Sequence, residues 1–169
     1  MTLVSYALFE LANGQLETAA DTLNACLPDA LPWEGWLRLA KCKLSLARKA
    51  LSEALEIADT TVELARMYGL GHILPEALFL KGKSHFLLDD PAQAKPALEE
   101  AYTEAKRVGS RRHLWQILAL LAETENDKDK AAAFKSEARE NIEYIVSHTS
   151  SEELRDSFLK SNAVRAILS

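Results

Sequence analysis

The residue types that most often carry chemistry are sparse in this chain, and their spacings do not converge. Four histidines, His72, His85, His113 and His148, are spread over three helical stretches and a loop. No pair of them has the i, i+4 or HExxH spacing with which one helix face grips a metal ion. Cys26 and Cys42 form no CxxC pair and fall where small side chains recur, so they read as packed, inert thiols rather than nucleophiles. Gly69-Leu70-Gly71-His72 lacks the preceding strand and the lysine of a phosphate-binding loop. The carboxylate pairs Asp89-Asp90 and Glu99-Glu100 have the composition for acid–base work. The first pair stands among turn residues, where Asp caps a helix, and the second reads as a solvated helix face. Lys106, Arg107, Arg111 and Arg112 flank Gly109. The first two complement the negative end of a helix dipole; a phosphate or acidic-peptide site is the sharper reading of the same cluster. Nothing resembles a catalytic triad, so the chain reads as non-enzymatic, with no catalytic residue, no metal ligand and no cofactor.

The elements that must position any site follow from composition. At 169 residues with 48% apolar and 27% charged side chains, the chain is long enough for about one domain with a buried core and too apolar for disorder. Leu and Ala supply 54 residues and Val and Ile only 11, which favours helix over sheet. A formal net charge of −5 argues against nucleic acid as a partner. The most apolar run, WQILALLA, falls far short of the roughly 20 residues a membrane span needs. The opening MTLVSYALFE has no basic region of the secretory kind. Together with two unpaired cysteines, this makes a cytoplasmic chain the simplest expectation.

Small residues recur in three sets: Ala7, Cys42, Gly82, Ala119; then Ala19, Ala54, Ala94, Ala131; then Cys26, Thr61, Ala101, Ala138. Each set steps by 35, 40 and 37 residues. A period near 34 is that of a stacked helix–turn–helix unit. In each unit the first small residue lets the returning helix cross close to it, the second lies at that crossing, and the third sits two turns further on. Turn residues separate the first two sets at Asn13-Gly14-Gln15, Asp89-Asp90-Pro91 and Asn126-Asp127-Lys128. The corresponding Arg48-Lys49-Ala50 has no Gly, Pro or Asx.

On these residues the chain resembles the tetratricopeptide-repeat family, over roughly residues 1–146. Trp115, Leu118 and Ala119 fit the family's bulky residue followed by an apolar–small pair, and Gly82 fits its glycine, while Lys41 and Lys81 stand where the apolar member belongs. The resemblance implies an all-α fold: a right-handed superhelix of about four TPR-like hairpins over residues 1–149, closed by a C-terminal capping helix and tail over 150–169. The long units and the tail SEARENIEYIVSHTSSEELRDSFLKSNAVRAIL resemble the C-terminal arrays of bacterial cyclase-linked ATPases and LuxR-type activators. That implies the C-terminal part, or a detached relative, of a larger bacterial signalling protein.

Helices are expected at about 2–13, 15–27, 33–47, 50–68, 74–88, 91–108, 111–125 and 128–148. Pro96 should cost one hydrogen bond inside its helix. A capping box at Ser150-x-x-Glu153 starts a tail helix running to about Lys160, whose Leu154, Phe158 and Leu159 form the stripe that covers the last repeat. Asn162 to Leu168 adds one or two turns.

In such an array the first helix of each hairpin lines the concave face. Counting from the small-residue markers places Val4, Leu8, Leu11, Trp36, Leu39, Lys43, Phe79, Lys83, Phe86, Gln116 and Leu120 there, with Leu46, Glu76 and Glu123 nearby. An apolar stripe with two lysines in equivalent positions marks a groove for a protein or peptide segment, unless the same side chains are buried against neighbouring helices. The family's chaperone-binding members use Lys and Asn here, and no Asn occupies these positions. The expected function is a non-enzymatic interaction scaffold. The alternatives are a small-molecule-sensing arm and a structural or self-associating module.

Overall fold

The computed structural model describes residues 2–26 and 31–169, among which there are ten helices and no strand. They are α1 (Leu3–Ala12), α2 (Leu16–Asn24), α3 (Leu31–Ala47), α4 (Leu51–Met67), α5 (Leu74–Leu87), α6 (Pro91–Arg107), α7 (Arg111–Thr124), α8 (Lys128–Ser147), α9 (Glu152–Lys160) and α10 (Asn162–Leu168). The helices expected from the sequence lie within about two residues of these. The expected end of the second, at residue 27, falls outside the described residues. α6 runs unbroken past Pro96, whose ring sits on the exposed side.

Five helices end in the same way. The N–H groups of Gln15, Ala50, Leu70, Asp90 and Ser110 reach back to the carbonyls of Glu10, Ser45, Ala65, His85 and Ala105 at 2.8–3.0 Å. The residue before each of those donors has a positive φ: Gly14 (75°), Lys49 (60°), Gly69 (64°), Asp89 (59°) and Gly109 (69°). This is the Schellman closure, which satisfies the last carbonyls of a helix by one left-handed residue. Gly adopts that conformation freely, whereas a long side chain pays for it. Lys49 therefore closes the second hairpin without turn chemistry, at a cost. We expect Lys49→Gly to stabilise the protein by about 1 kcal/mol, read as a raised urea midpoint at unchanged slope.

The helices pack as two compact units, residues 1–101 and 102–169, with the division inside α6. In the first unit α1, α3 and α5 pack side by side, α2 lies against α1 and α3, and α4 lies against α3 and α5. Ala7, Ala19, Ala20, Leu23, Leu37, Ala40 and Leu44 form the core of the first turn of this arrangement. In the second unit α7 packs on α8, and α10 packs on both α8 and α9.

The small-residue crossings are visible at the second and third hairpins. The Cys42 thiol donates to the Ala54 carbonyl at 3.2 Å, one member of the first set meeting one of the second. A Cβ placed on Gly82 would stand 3.2 Å from the Ala94 carbonyl oxygen, the equivalent contact one unit later, and 2.7 Å from Leu98 Cγ. Nine of the twelve recurring positions are buried; Cys26, Ala119 and Ala131 are half-buried. The fourth hairpin also closes differently. It has no left-handed residue: Glu125 is extended, and the Asp127 carboxylate caps α8 by accepting from the N–H groups of Asp129 and Lys130.

The tail corrects two expectations. The N-cap is Ser151, whose hydroxyl accepts from the Leu154 N–H, so position N3 is Leu154 and there is no Ser150–Glu153 capping box. α9 buries no residue and leaves Leu154 65% exposed. The apolar anchor is instead α10, through buried Val164 and Ile167, with Arg139 Nε–H on α8 donating to the Ile167 carbonyl at 2.7 Å. Phe158 on α9 meets the edge of Trp115 on α7 at 5.8 Å.

Leu98 is fully buried and cannot swing aside freely from a new side chain at position 82. Overpacking costs about 1–3 kcal/mol, which exceeds the helix-propensity gain of at most about 1 kcal/mol for replacing glycine. Gly82→Ala should thus be net destabilising by about 1 kcal/mol and Gly82→Leu by more, measured as lowered urea midpoints.

Candidate functional site

The expected stripe divides into three environments in the first unit. On α1, Val4, Leu8 and Leu11 are half-buried and packed against the core of Ala7, Ala19, Leu23 and Leu37. On α3 and α5, Leu39 is 2% and Phe79 8% exposed, so both are core residues rather than groove lining. Trp36, Lys43, Lys83 and Phe86 keep partly exposed side chains. The structure thus brings the α3 and α5 members together and buries some of them deeply, the outcome that neighbouring helices impose on a stripe flanked on both sides. In the second unit Gln116 and Leu120 lie half-buried on α7.

Polar chemistry between α3 and α5 is dominated by one ion pair. The Lys43 ammonium bridges to the carboxylate of Glu76, which is 3% exposed. A buried carboxylate that lost its cation would retain most of its desolvation cost, so this pair fixes the two helices against each other. Lys83, the equivalent lysine one unit on, has no carboxylate against it among the described residues and lies with Nζ 6.0 Å from the Phe79 ring centroid. Trp36 on α3 faces the ring of His72, just before α5, at 5.8 Å. Burial pushes the Cys42 thiol up to about 12, with Lys43 pulling the other way, so Cys42 is a neutral packed group at physiological pH. Cys26, half-buried, donates to the Thr22 carbonyl at 3.3 Å.

The remaining candidates are engaged locally. His85 lies 3.3 Å from the Asp90 carboxylate, His113 Nδ1 lies 2.8 Å from the Ser110 hydroxyl, and His148 stacks on Tyr144 at 3.8 Å. Asp90 accepts from the Gln93 N–H, and Glu100 pairs with Arg66. Among the described residues no group of three His, Cys, Asp or Glu side chains is placed to hold a metal ion.

The basic cluster in the second unit is also taken up. Lys106 donates to the Tyr102 hydroxyl at 2.7 Å and bridges Glu137 at 3.1 Å; the first contact, then the second, raises its ammonium above the usual range. Arg107 bridges Glu104. Arg111 lies over the Tyr144 ring at 4.0 Å and donates to the Asn141 side chain at 3.2 Å. Lys106, Arg111, Glu137, Glu140 and Asn141 line a cleft of about 280 Å³, but its cations already face protein partners.

Two features escaped the sequence reading. The Lys43–Glu76 pair joins opposite charges on neighbouring first helices, a signal present in the stripe itself. A cleft of about 400 Å³, lined chiefly by Leu3, Val4, Ala25, Trp33 and Leu37 with Thr2 and Cys26, opens among α1, α2 and α3; no periodicity announces it. Comparison with protein-family models, curated proteins and solved structures gave no match.

The two phenylalanines of α5 should separate by stability. Phe79→Ala should cost about 3–5 kcal/mol, the price of a core cavity, and half-buried Phe86→Ala clearly less. Urea titration of both variants checks this, and equal losses would show that Phe86 is core as well.

Proposed function

We propose that this chain is a non-enzymatic helical-repeat scaffold, a right-handed superhelix of the TPR-like kind, that takes a protein segment along the first helices of its hairpins. Lys83 carries the reading. It is a cation on α5 held beside an aromatic ring with no carboxylate against it among the described residues, with Phe86 half-buried one turn further along the same helix. A partner fitting these groups is a segment that presents a carboxylate, from a side chain or a chain terminus, next to an apolar anchor. Lys43 has a lesser part in this scheme than its equivalent position suggests, because Glu76 already occupies its charge. The tail's resemblance supports a place at the C-terminal side of a longer bacterial signalling protein in the cytoplasm.

A small-molecule-sensing arm is the second reading, favoured by the apolar cleft among α1, α2 and α3, whose size suits a small ligand. Only Thr2 and Cys26 bring polar side chains to it, which gives little to orient a ligand.

Peptides selected for binding from a random library provide the test. Lys83→Glu should weaken the selected peptides about tenfold or more, with the difference shrinking as salt rises, while the melting temperature stays unchanged. Selected peptides that bind Lys83→Glu as well as the parent would overturn the reading.

A further inference from the structure

α1 is apolar on both sides. Its inner side holds Ala7 in the core, and its only charged side chain, Glu10, is buried and accepts from the Thr22 hydroxyl at 2.8 Å. Its outer side presents Leu3, Tyr6 and Phe9, exposed by 54%, 48% and 58%, with the two aromatic rings 6.5 Å apart. Thr2, Ser5, Ala12 and Asn13 complete that exposed arc, so no charge stands on it. Trp33, 51% exposed, extends the patch across the cleft it shares with Leu3. Other exposed apolar side chains sit beside charges: Met67 next to Arg66, and Leu154 between Glu153 and Arg155. A helix apolar all round is ordinarily a buried one.

We propose that this face binds a second copy of the chain, the two α1 helices pairing antiparallel about a two-fold axis at Tyr6. Three observations select that occupant. The chain carries a net charge of −5, so two copies repel wherever their charged surfaces meet, and the uncharged arc of α1 is a surface on which they approach without that cost. An acidic or basic partner, by contrast, finds no counter-charge there. The stripe is also symmetric about its centre. Leu3 and Phe9 lie three residues either side of Tyr6, so an antiparallel two-fold sets Leu3 against the partner subunit's Phe9. The same axis brings the two Tyr6 hydroxyls together, each able to donate and accept. Finally, the four half-exposed side chains offer about 400 Å² of apolar surface per copy, which with its polar rim approaches the roughly 1,000 Å² total of a specific interface. An interface of that size gives a weak, concentration-dependent dimer. This surface is separate from Lys83 and does not depend on the peptide-binding reading.

Sedimentation equilibrium of the full chain, from low to several hundred micromolar, is the test. The wild type should show a monomer–dimer equilibrium. Phe9→Glu should raise its dissociation constant at least about tenfold, with an unchanged melt at low concentration, because Phe9 is more exposed than buried. Met67→Glu, at an equally exposed apolar side chain away from α1, should leave the constant unchanged. Oxidation of Tyr6→Cys should yield a disulfide dimer well above that from exposed Glu56→Cys, and this arm decides the matter if Phe9→Glu fails to fold. A wild type that stays monomeric, an association indifferent to Phe9→Glu in a folded variant, or no excess cross-linking at position 6 would each overturn the proposal.

Discussion

Two helices can close to backbone contact only where one of them carries almost no side chain, and the hairpins of the first unit are built on that restriction. At the second hairpin the thiol of Cys42 is small enough to reach the Ala54 carbonyl; at the third, Gly82 leaves room for Leu98 to fill the space where a Cβ would stand. These close approaches hold α3 to α4 and α5 to α6. They consequently set which residues of α3 and α5 face each other and which remain accessible. The deep burial of Leu39 and Phe79 and the partial exposure of Lys83 and Phe86 are both consequences of that spacing.

Helix endings reinforce the same geometry. A single left-handed residue reverses the chain and satisfies the final carbonyls, so the returning helix starts within a few residues of the preceding end. Where that device is missing, after α7, the packing changes too. Ala119 and Ala131 are no longer fully buried, and Leu118, Leu121, Ala138 and Ile142 supply the deeply buried positions instead. The fourth hairpin is therefore a variant of the unit rather than a copy, and it belongs to the second compact unit, which the tail helix α10 joins through Val164 and Ile167.

Much of the helical organisation was legible in the sequence because it rests on local signals: Leu- and Ala-rich periodicity, glycines and Asx residues at turns, and small residues at a regular spacing. What was not legible depends on contacts between residues distant along the chain. Nothing local distinguishes Phe79 from Phe86, yet one is core and the other is partly open. Lys49 carries no sign that it will adopt a positive φ; the Schellman bond from Ala50 to Ser45 imposes it. Ser150 and Ser151 are equivalent cap candidates by type, and the helix chose the second. In the stripe, counting from the markers found the correct helices but could not tell a lysine aimed at solvent from one committed to Glu76.

That commitment bears on how the sequence can drift. Lys43 and Glu76 are 33 positions apart in a row of first helices, and Glu76 is 3% exposed. Losing the lysine alone strands a buried carboxylate, whereas replacing both by apolar residues of similar volume is close to neutral. The two positions are thereby bound to a shared history. Among descendants of this chain, charge should persist at both or vanish from both, and a lineage passing through the single change would be selected against at the level of folding, before any partner was involved.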